Sequence, residues 1–157
     1  MKIHPEEILN LIARYENKVI DEKELSDWAV ELVENNFESE SLILLAGMAP
    51  SEYAEASGLL KKVLSELGFA WPSDEVLSLA YAKIIAQQIL DGKIQPNIGC
   101  AKIGEINHHL DWPEELSDFG MISHEQTGHE NIGITSESVI PEIISAAKVL
   151  MQLKLSL

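Results

Sequence analysis

The chain has 157 residues, 46% of them hydrophobic, which is enough for one compact domain with a buried core. Its 26 acidic and 11 basic side chains give a net charge of −15, which argues against binding to nucleic acid or to anionic membranes. The single cysteine, Cys100, excludes an internal disulfide and a thiolate metal cluster.

Seven stretches have the three-four apolar spacing of amphipathic helices. Their starts carry capping or first-turn residues, such as Pro5, Asp21 followed by Glu24, Ser39 and Ser51. The predicted helices span residues 5 to about 15, 21–34, about 39–46, 51–67, 73–90, 96 to about 110, and 138 (or 136) to 151.

Between the last two helices, Trp112-Pro113 opens a short acidic turn of helix. Residues 120–135 contain three glycines, two histidines and several small polar residues, which predicts a long loop. No stretch alternates with period two for long enough to predict a strand. We therefore expect a single all-α domain of about seven helices over residues 1–157.

Two Trp-Pro pairs, Trp71-Pro72 and Trp112-Pro113, lie 41 residues apart, near the period of two-helix repeats such as HEAT. Stacked helical hairpins fit this spacing. A chance recurrence of Trp-Pro before a helix start fits it equally.

The residue patterns typical of catalytic and metal-binding sites are incomplete in this sequence. Gly99 and Gly104 have the spacing of a phosphate-binding loop, but Glu105 stands where lysine is needed. His124 and His129 are one residue too far apart for the helical zinc motif, although a loop could still gather them with a carboxylate around a metal. Cys100 lies in an apolar helix and is expected to be buried. We expect no enzyme activity and no cofactor.

The charge is unevenly spread along the chain. Nine acids stand against Lys18 and Lys23 in the segment from Glu16 to Glu40, and residues 103–147 contain neither lysine nor arginine. Ordinary solubilising surfaces mix both signs, because uncompensated acids repel one another. The sequence therefore predicts an acidic interaction surface, either at Glu16–Glu40 or at Asp111–Glu130.

The second acidic segment also contains aromatic residues. Aromatic side chains supply desolvated contact area, while carboxylates steer encounter with a basic partner and pair with its lysines and arginines. The alternative is that Trp112, Leu116 and Phe119 fill a gap between helices while the acids face water. The predicted partner-binding residues are Asp111, Trp112, Glu114, Glu115, Asp118 and Phe119.

In size, acidity, helical build and lack of catalytic motifs, the chain resembles the small acidic immunity proteins of bacterial toxin systems, including those of contact-dependent growth inhibition. The resemblance implies a cytoplasmic protein that binds and blocks a basic toxin domain, often a nuclease. The acidic residues after Met1, in place of a signal peptide, agree with a cytoplasmic location. An adaptor or scaffold for a peptide or protein partner is the alternative. The third is an enzyme or metal-dependent protein built around His124, His129 and nearby acids.

Overall fold

The computed structural model describes residues 2–125 and 137–156, and within these ranges the chain is helical and contains no strand. The all-α prediction is confirmed. Two short 3₁₀ segments, Pro50–Glu55 and Glu114–Leu116, precede α4 and α7. The α-helices are α1 (Pro5–Glu16), α2 (Glu22–Glu34), α3 (Glu40–Ala46), α4 (Ala56–Glu66), α5 (Asp74–Leu90), α6 (Pro96–His109), α7 (Ser117–Glu125) and α8 (Ile140–Met151).

Two predicted helix starts are confirmed at the level of atoms. The Asp21 side chain accepts a hydrogen bond from the Glu24 backbone N–H at 2.9 Å, and the Ser39 hydroxyl accepts one from the Leu42 N–H at 3.1 Å. Each bond satisfies one of the backbone donors that a helix leaves free in its first turn. Ser51 is not the cap that the sequence predicted, because the chain first turns through the 3₁₀ segment and α4 begins at Ala56.

Five helices end in one type of hydrogen-bonded turn, the Schellman motif. In each, a residue with positive φ donates its backbone N–H to the carbonyl three residues before it. The next residue donates its N–H to the carbonyl five residues before itself. Glycine is favoured there because it has no Cβ to clash in the left-handed conformation. The residues with positive φ are Lys18, Asn36, Gly68, Gly92 and Asp111.

The described residues divide into two compact units, and the first runs up to Ser73 and includes Ser156. Its α3 is tied to both neighbouring helices. The Ser26 hydroxyl of α2 donates to the Ala46 carbonyl at 3.0 Å, and the Ser39 hydroxyl donates to Glu66 of α4 at 2.8 Å. The core of this unit is aliphatic: Ile8, Leu9, Ile12, Leu25, Ala29, Leu32, Leu42, Leu45, Leu60, Val63 and Leu64.

The second unit, Asp74–Leu155, contains α5 to α8. Two glycines inside α6 let neighbouring helices approach. A Cβ on Gly99 would lie 2.6 Å from Ile89 of α5, and one on Gly104 would lie 3.0 Å from Ser123 of α7. Its core consists of Leu79, Ala82, Ile85, Ala86, Ile89, Cys100, Ile103, Leu116, Phe119, Ile122, Val139, Ile143, Ala146, Ala147 and Leu150. That the two units make one domain stays a prediction, and the structure does not confirm HEAT-like stacking.

The predicted loop at 120–135 is wrong in its first part, because α7 continues through Gly120 to Glu125. Leu116, Phe119 and Ile122 recur every three residues and are buried together, so packing stabilises this helix despite its glycine. Residues 126–136, including His129 and Glu130, lie outside the described residues. The last helix begins at Ile140 with Val139 as its N-cap, rather than at Ser138 or Ser136.

Across the two described ranges, no helix combines the length and the apolar character that a membrane span requires.

Candidate partner-binding site

The predicted binding residues lie where α6 ends and α7 begins. The Asp111 N–H donates to the His108 carbonyl at 3.2 Å, and the Trp112 N–H donates to the Asn107 carbonyl at 2.8 Å, which completes the Schellman motif of α6. Asp111 has φ of 62° and Trp112 has φ of 60°. Two consecutive non-glycine residues in the left-handed region are unusual, and this conformation is unfavourable for a large aromatic residue.

Trp112 is 52% exposed, as expected for an anchor that contacts a partner. The inner edge of its ring rests on α7 at Gly120. A Cβ at position 120 would lie 2.7 Å from Trp112 Cζ3 and 3.2 Å from Cε3, so only glycine leaves room for the ring there. The indole is therefore seated on the helix while about half of its surface stays in solvent.

Acidic residues flank Trp112 on both sides in the sequence. Glu114 and Glu115 lie in the 3₁₀ segment and Asp118 in the first turn of α7, and all three are exposed, as is Asp111. The Ser117 hydroxyl donates to the Glu114 carbonyl at 2.9 Å and braces the turn. We call Asp111, Trp112, Glu114, Glu115 and Asp118 the Trp112 corner.

Phe119 does not belong to this surface. It is 1% exposed and lies in the core of the second unit, so the prediction that its ring is available to a partner is wrong. The Cys100 thiol of α6 donates to the Phe119 carbonyl at 3.6 Å, which places this turn of α7 against α6. The three-residue spacing of Leu116, Phe119 and Ile122 was the signal that could have separated Phe119 from Trp112.

Sequence reasoning missed Asn107, which lies inside α6 next to the corner. Its side chain is fully buried, and neither its Oδ1 nor its Nδ2 has a hydrogen-bond partner. A Cβ at Gly120 would lie even closer to Asn107 Nδ2 than to the Trp112 ring. An unpaired buried amide is costly, so the base of the Trp112 corner combines unfavourable backbone conformation with an unsatisfied polar group.

The histidines give no metal site in the described residues. His108 and His109 are adjacent in the last turn of α6 and are both exposed. No cluster of three or more metal-binding side chains occurs within residues 2–125 and 137–156. His124 is exposed near the end of α7, whereas His129 lies outside the described residues, so the metal alternative stays a prediction.

Cys100 is buried as predicted. Burial raises the pKa of its thiol to about 12, because the thiolate would lose its hydration. At neutral pH the thiol is therefore protonated, and a protonated thiol is a poor nucleophile.

The other predicted acidic segment begins at the turn between α1 and α2. Glu16, Asp21 and Glu22 line an open pocket of about 460 Å³ together with Tyr15, Lys18, Ile20 and Ser57. Partial burial raises the pKa of Tyr15, and the neighbouring charges of Glu22 and Glu16 add to this shift. The pocket thus presents carboxylates to solvent beside one exposed lysine.

The geometry of the Trp112 corner favours protein recognition, since an exposed ring and exposed carboxylates supply contact area and charge. The corner carries no cation, because residues 103–147 lack lysine and arginine. Comparison of the chain with protein-family models, with curated proteins and with solved structures gave no match.

Proposed function

We propose that this protein binds and neutralises a basic toxin domain, a nuclease, by covering its active site with an acidic surface, as immunity proteins of bacterial toxin systems do. The observation that carries this proposal is the half-exposed Trp112, seated on Gly120 and flanked in the sequence by the exposed acidic residues of the Trp112 corner. Neutralisation inside the producing cell would place the protein in the cytoplasm.

The charge of such a surface suits a nuclease. A nuclease active site carries lysine and arginine side chains that hold phosphate groups, and carboxylates of an inhibitor can occupy the same positions. The net charge of −15 also attracts a basic partner over a distance comparable to the Debye length, which raises the association rate at low salt.

The Trp112 corner is held in place before any partner binds. Leu116 is buried in the core, and the Schellman motif fixes the backbone at Asp111 and Trp112. A surface that is already ordered loses little conformational entropy on binding. This pre-organisation supports a role in tight recognition.

Asp111 also conflicts with local stability in two ways. Its φ of 62° favours glycine, and its negative charge lies at the C-terminal end of α6, where the helix dipole is itself negative. Conflicts of this kind are typical of residues kept for function. Asp111 is therefore a strong candidate for direct contact with the partner.

The alternative is a helical adaptor or scaffold protein that binds a peptide or another protein. The exposed apolar side chains of Ile43 and Leu44 on α3 favour this alternative, because they offer apolar contact area to a partner. Ionic strength separates the two functions. Association driven by the acidic surface slows strongly as salt rises, whereas binding to an apolar surface changes little.

The first experiment is a pull-down from the source cell at low salt, with elution by a salt gradient and identification of the bound protein by mass spectrometry. We expect one basic protein that salt releases. The purified partner should cleave RNA or DNA, and the addition of this protein should stop the cleavage. A neutral partner that salt does not release would contradict the proposal and favour the adaptor function.

Variants then test the Trp112 corner itself. The triple variant Glu114→Lys, Glu115→Lys and Asp118→Lys should lower the association rate with the partner, and Trp112→Ala should raise the dissociation rate. The matched control reverses the charge of three exposed acidic residues outside the corner. Far-UV circular dichroism verifies the folding of every variant. Equal effects of the two triple variants would exclude the corner as the contact site. The control substitutions are Glu55→Lys, Glu75→Lys and Asp91→Lys.

A further inference from the structure

In the first unit, α2 and α3 expose apolar side chains that the acidic-surface proposal does not use. Ile43 is 57% exposed and Leu44 is 55% exposed, both on the short helix α3. Val30 and Val33 of α2 are exposed as well. Large aliphatic side chains at neighbouring exposed positions are a common feature of interaction surfaces.

These four residues lie on two helices that pack against each other, Val30 and Val33 on α2 and the adjacent Ile43 and Leu44 on the exposed side of α3. Ser26 near the start of α2 is bonded to Ala46 at the end of α3, so the two helices run antiparallel with this side of each facing the other. Val30 and Val33 follow Ser26 by four and seven residues and therefore lie on the same side of α2. Ile43 precedes Ala46 by three residues and therefore lies on the same side of α3 as Ala46, with Leu44 next to it in the sequence. We call Val30, Val33, Ile43 and Leu44 the α2–α3 strip.

Carboxylates border the α2–α3 strip on both helices. Glu31 and Glu34 directly follow Val30 and Val33 on α2, and Glu40 lies one turn before Ile43 and Leu44 on α3. All three acids are exposed. The sequence contains neither lysine nor arginine between Lys23 and Lys61, and Lys23 itself is paired with Asp27 at 3.1 Å. Apart from the ion-paired Lys23, the charged side chains of α2 and α3 are therefore all negative.

We infer that the α2–α3 strip is a docking surface for a basic amphipathic helix of a partner protein. Such a helix presents an apolar stripe at positions i, i+3, i+4 and i+7, which matches a narrow apolar strip between two helices. Lysines or arginines beside that stripe would meet the bordering carboxylates, whereas an acidic helix or an anionic membrane would be repelled. This inference goes beyond the toxin proposal and does not depend on it, because the Trp112 corner belongs to the other unit.

The test uses two synthetic helical peptides, each about five turns long, with the same leucine stripe at i, i+3, i+4 and i+7 spacing. One peptide carries lysines beside the stripe, and the other carries glutamates at the same positions. Binding to the full chain is measured by isothermal titration calorimetry, and the contact surface is mapped by NMR chemical-shift changes. We expect binding of the lysine peptide, shift changes along α2 and α3, and no binding of the glutamate peptide.

Neutral substitutions separate the apolar contact from general attraction between opposite charges. The double variant Ile43→Ser, Leu44→Ser keeps the net charge and should weaken binding of the lysine peptide about tenfold or more. The matched control, Met121→Ser with Val149→Ser, removes two exposed apolar side chains elsewhere and should bind as the parent does. Because all four positions are exposed, each variant should retain its helical circular dichroism.

Two results would overturn the inference. One is equal binding of the lysine peptide by the double variant and by its control, since binding would then depend on net charge alone. The other is a dimer in light scattering that the Ile43→Ser, Leu44→Ser variant dissociates, which would assign the strip to a second copy of this chain. Neither result bears on the Trp112 corner, whose test uses different residues and the toxin itself.

Discussion

Substitution of Gly120 by alanine gives the sharpest test of how the Trp112 corner is built. In a helix without neighbours, alanine is more favourable than glycine by about 1 kcal/mol. At position 120, however, the new methyl group would lie 2.7 Å from Trp112 Cζ3 and closer still to Asn107 Nδ2. Overpacking of this kind typically costs about 1–3 kcal/mol, so the helix gain is cancelled or exceeded.

Gly58→Ala is the matched control, because Gly58 also lies in a helix and a Cβ there meets nothing within 4 Å. We expect this control to stabilise the protein by about 0.5–1 kcal/mol. Urea unfolding followed by circular dichroism measures both variants against the parent. The expected difference between the two alanine variants is about 1–3 kcal/mol, with Gly120→Ala the less stable.

A double variant shows which neighbour causes the loss. Trp112→Ala removes one of the two groups that crowd position 120, so Gly120→Ala should cost less in that background than in the parent. Gly120→Ala should also change the quenching of tryptophan fluorescence by acrylamide, because the ring is pushed off α7. Stabilisation of Gly120→Ala to the same extent as Gly58→Ala would refute the proposed seating of the ring.

Three further predictions concern single residues. Asp111→Gly should stabilise the protein by about 1 kcal/mol in urea unfolding, because glycine tolerates the left-handed backbone and removes a charge unfavourable to the α6 dipole. Ser39→Ala should destabilise by about 1 kcal/mol through loss of the α3 cap. The hydrogen bond from Ser39 is the main cause of the lowered pKa of Glu66, so NMR titration of this variant should show the pKa rise. Cys100 should not react with a thiol reagent at pH 8 until the protein is unfolded, because burial raises its pKa to about 12.

The predictions for Asp111 and Ser39 each have a matched control variant. Lys18→Gly tests the same left-handed position at the end of α1 without the loss of an acid, and stability changes of zero in both glycine variants would contradict the strain at these turns. Ser65→Ala removes an exposed hydroxyl of α4 that caps no helix. If Ser65→Ala costs as much as Ser39→Ala, the cap is not the cause of the loss.

The pKa shifts of Glu66 and Cys100 make the stability of the fold depend on pH in opposite directions. The lowered pKa of Glu66 stabilises the fold above the ordinary carboxyl range, and this contribution is lost as the pH falls through the folded-state pKa. The raised pKa of Cys100 stabilises the fold below the ordinary thiol range, and this contribution is lost as the pH rises toward about 12. Cys100→Ala should remove the part of the stability loss at alkaline pH that the thiol causes. If that variant loses stability at alkaline pH as the parent does, this role of Cys100 is contradicted.

Local sequence signals determined much of the helical build. Capping residues such as Asp21 and Ser39, and glycines such as Gly68 and Gly92, act within one turn of their own backbone, so their effects can be predicted without neighbours. The uneven charge is likewise a property of the chain itself. These signals were sufficient for the all-α class and for most helix bounds.

The candidate site required the tertiary structure. Trp112 and Phe119 belong to one short acidic segment, yet Trp112 is half exposed and Phe119 is buried. The difference arises because Phe119 shares a helical face with Leu116 and Ile122 that packs into the core, whereas Trp112 sits in the turn before α7 and only its edge reaches Gly120.

The distinction between local sequence signals and tertiary packing also explains the other differences between the predicted and the observed structure. The segment from Gly120 to Glu125 has weak intrinsic helix signals, and it is helical because Ile122 is buried in the same core as Leu116, Phe119 and the buried residues of α6. The burial of Asn107 and the hydrogen bond between Ser26 and Ala46 depend on how separate helices pack. The sequence by itself determined the all-α class, most helix starts and stops, and where charge accumulates, because those depend on local signals. Which side chains stay at the surface was decided by tertiary packing, because burial depends on the neighbours that each face meets.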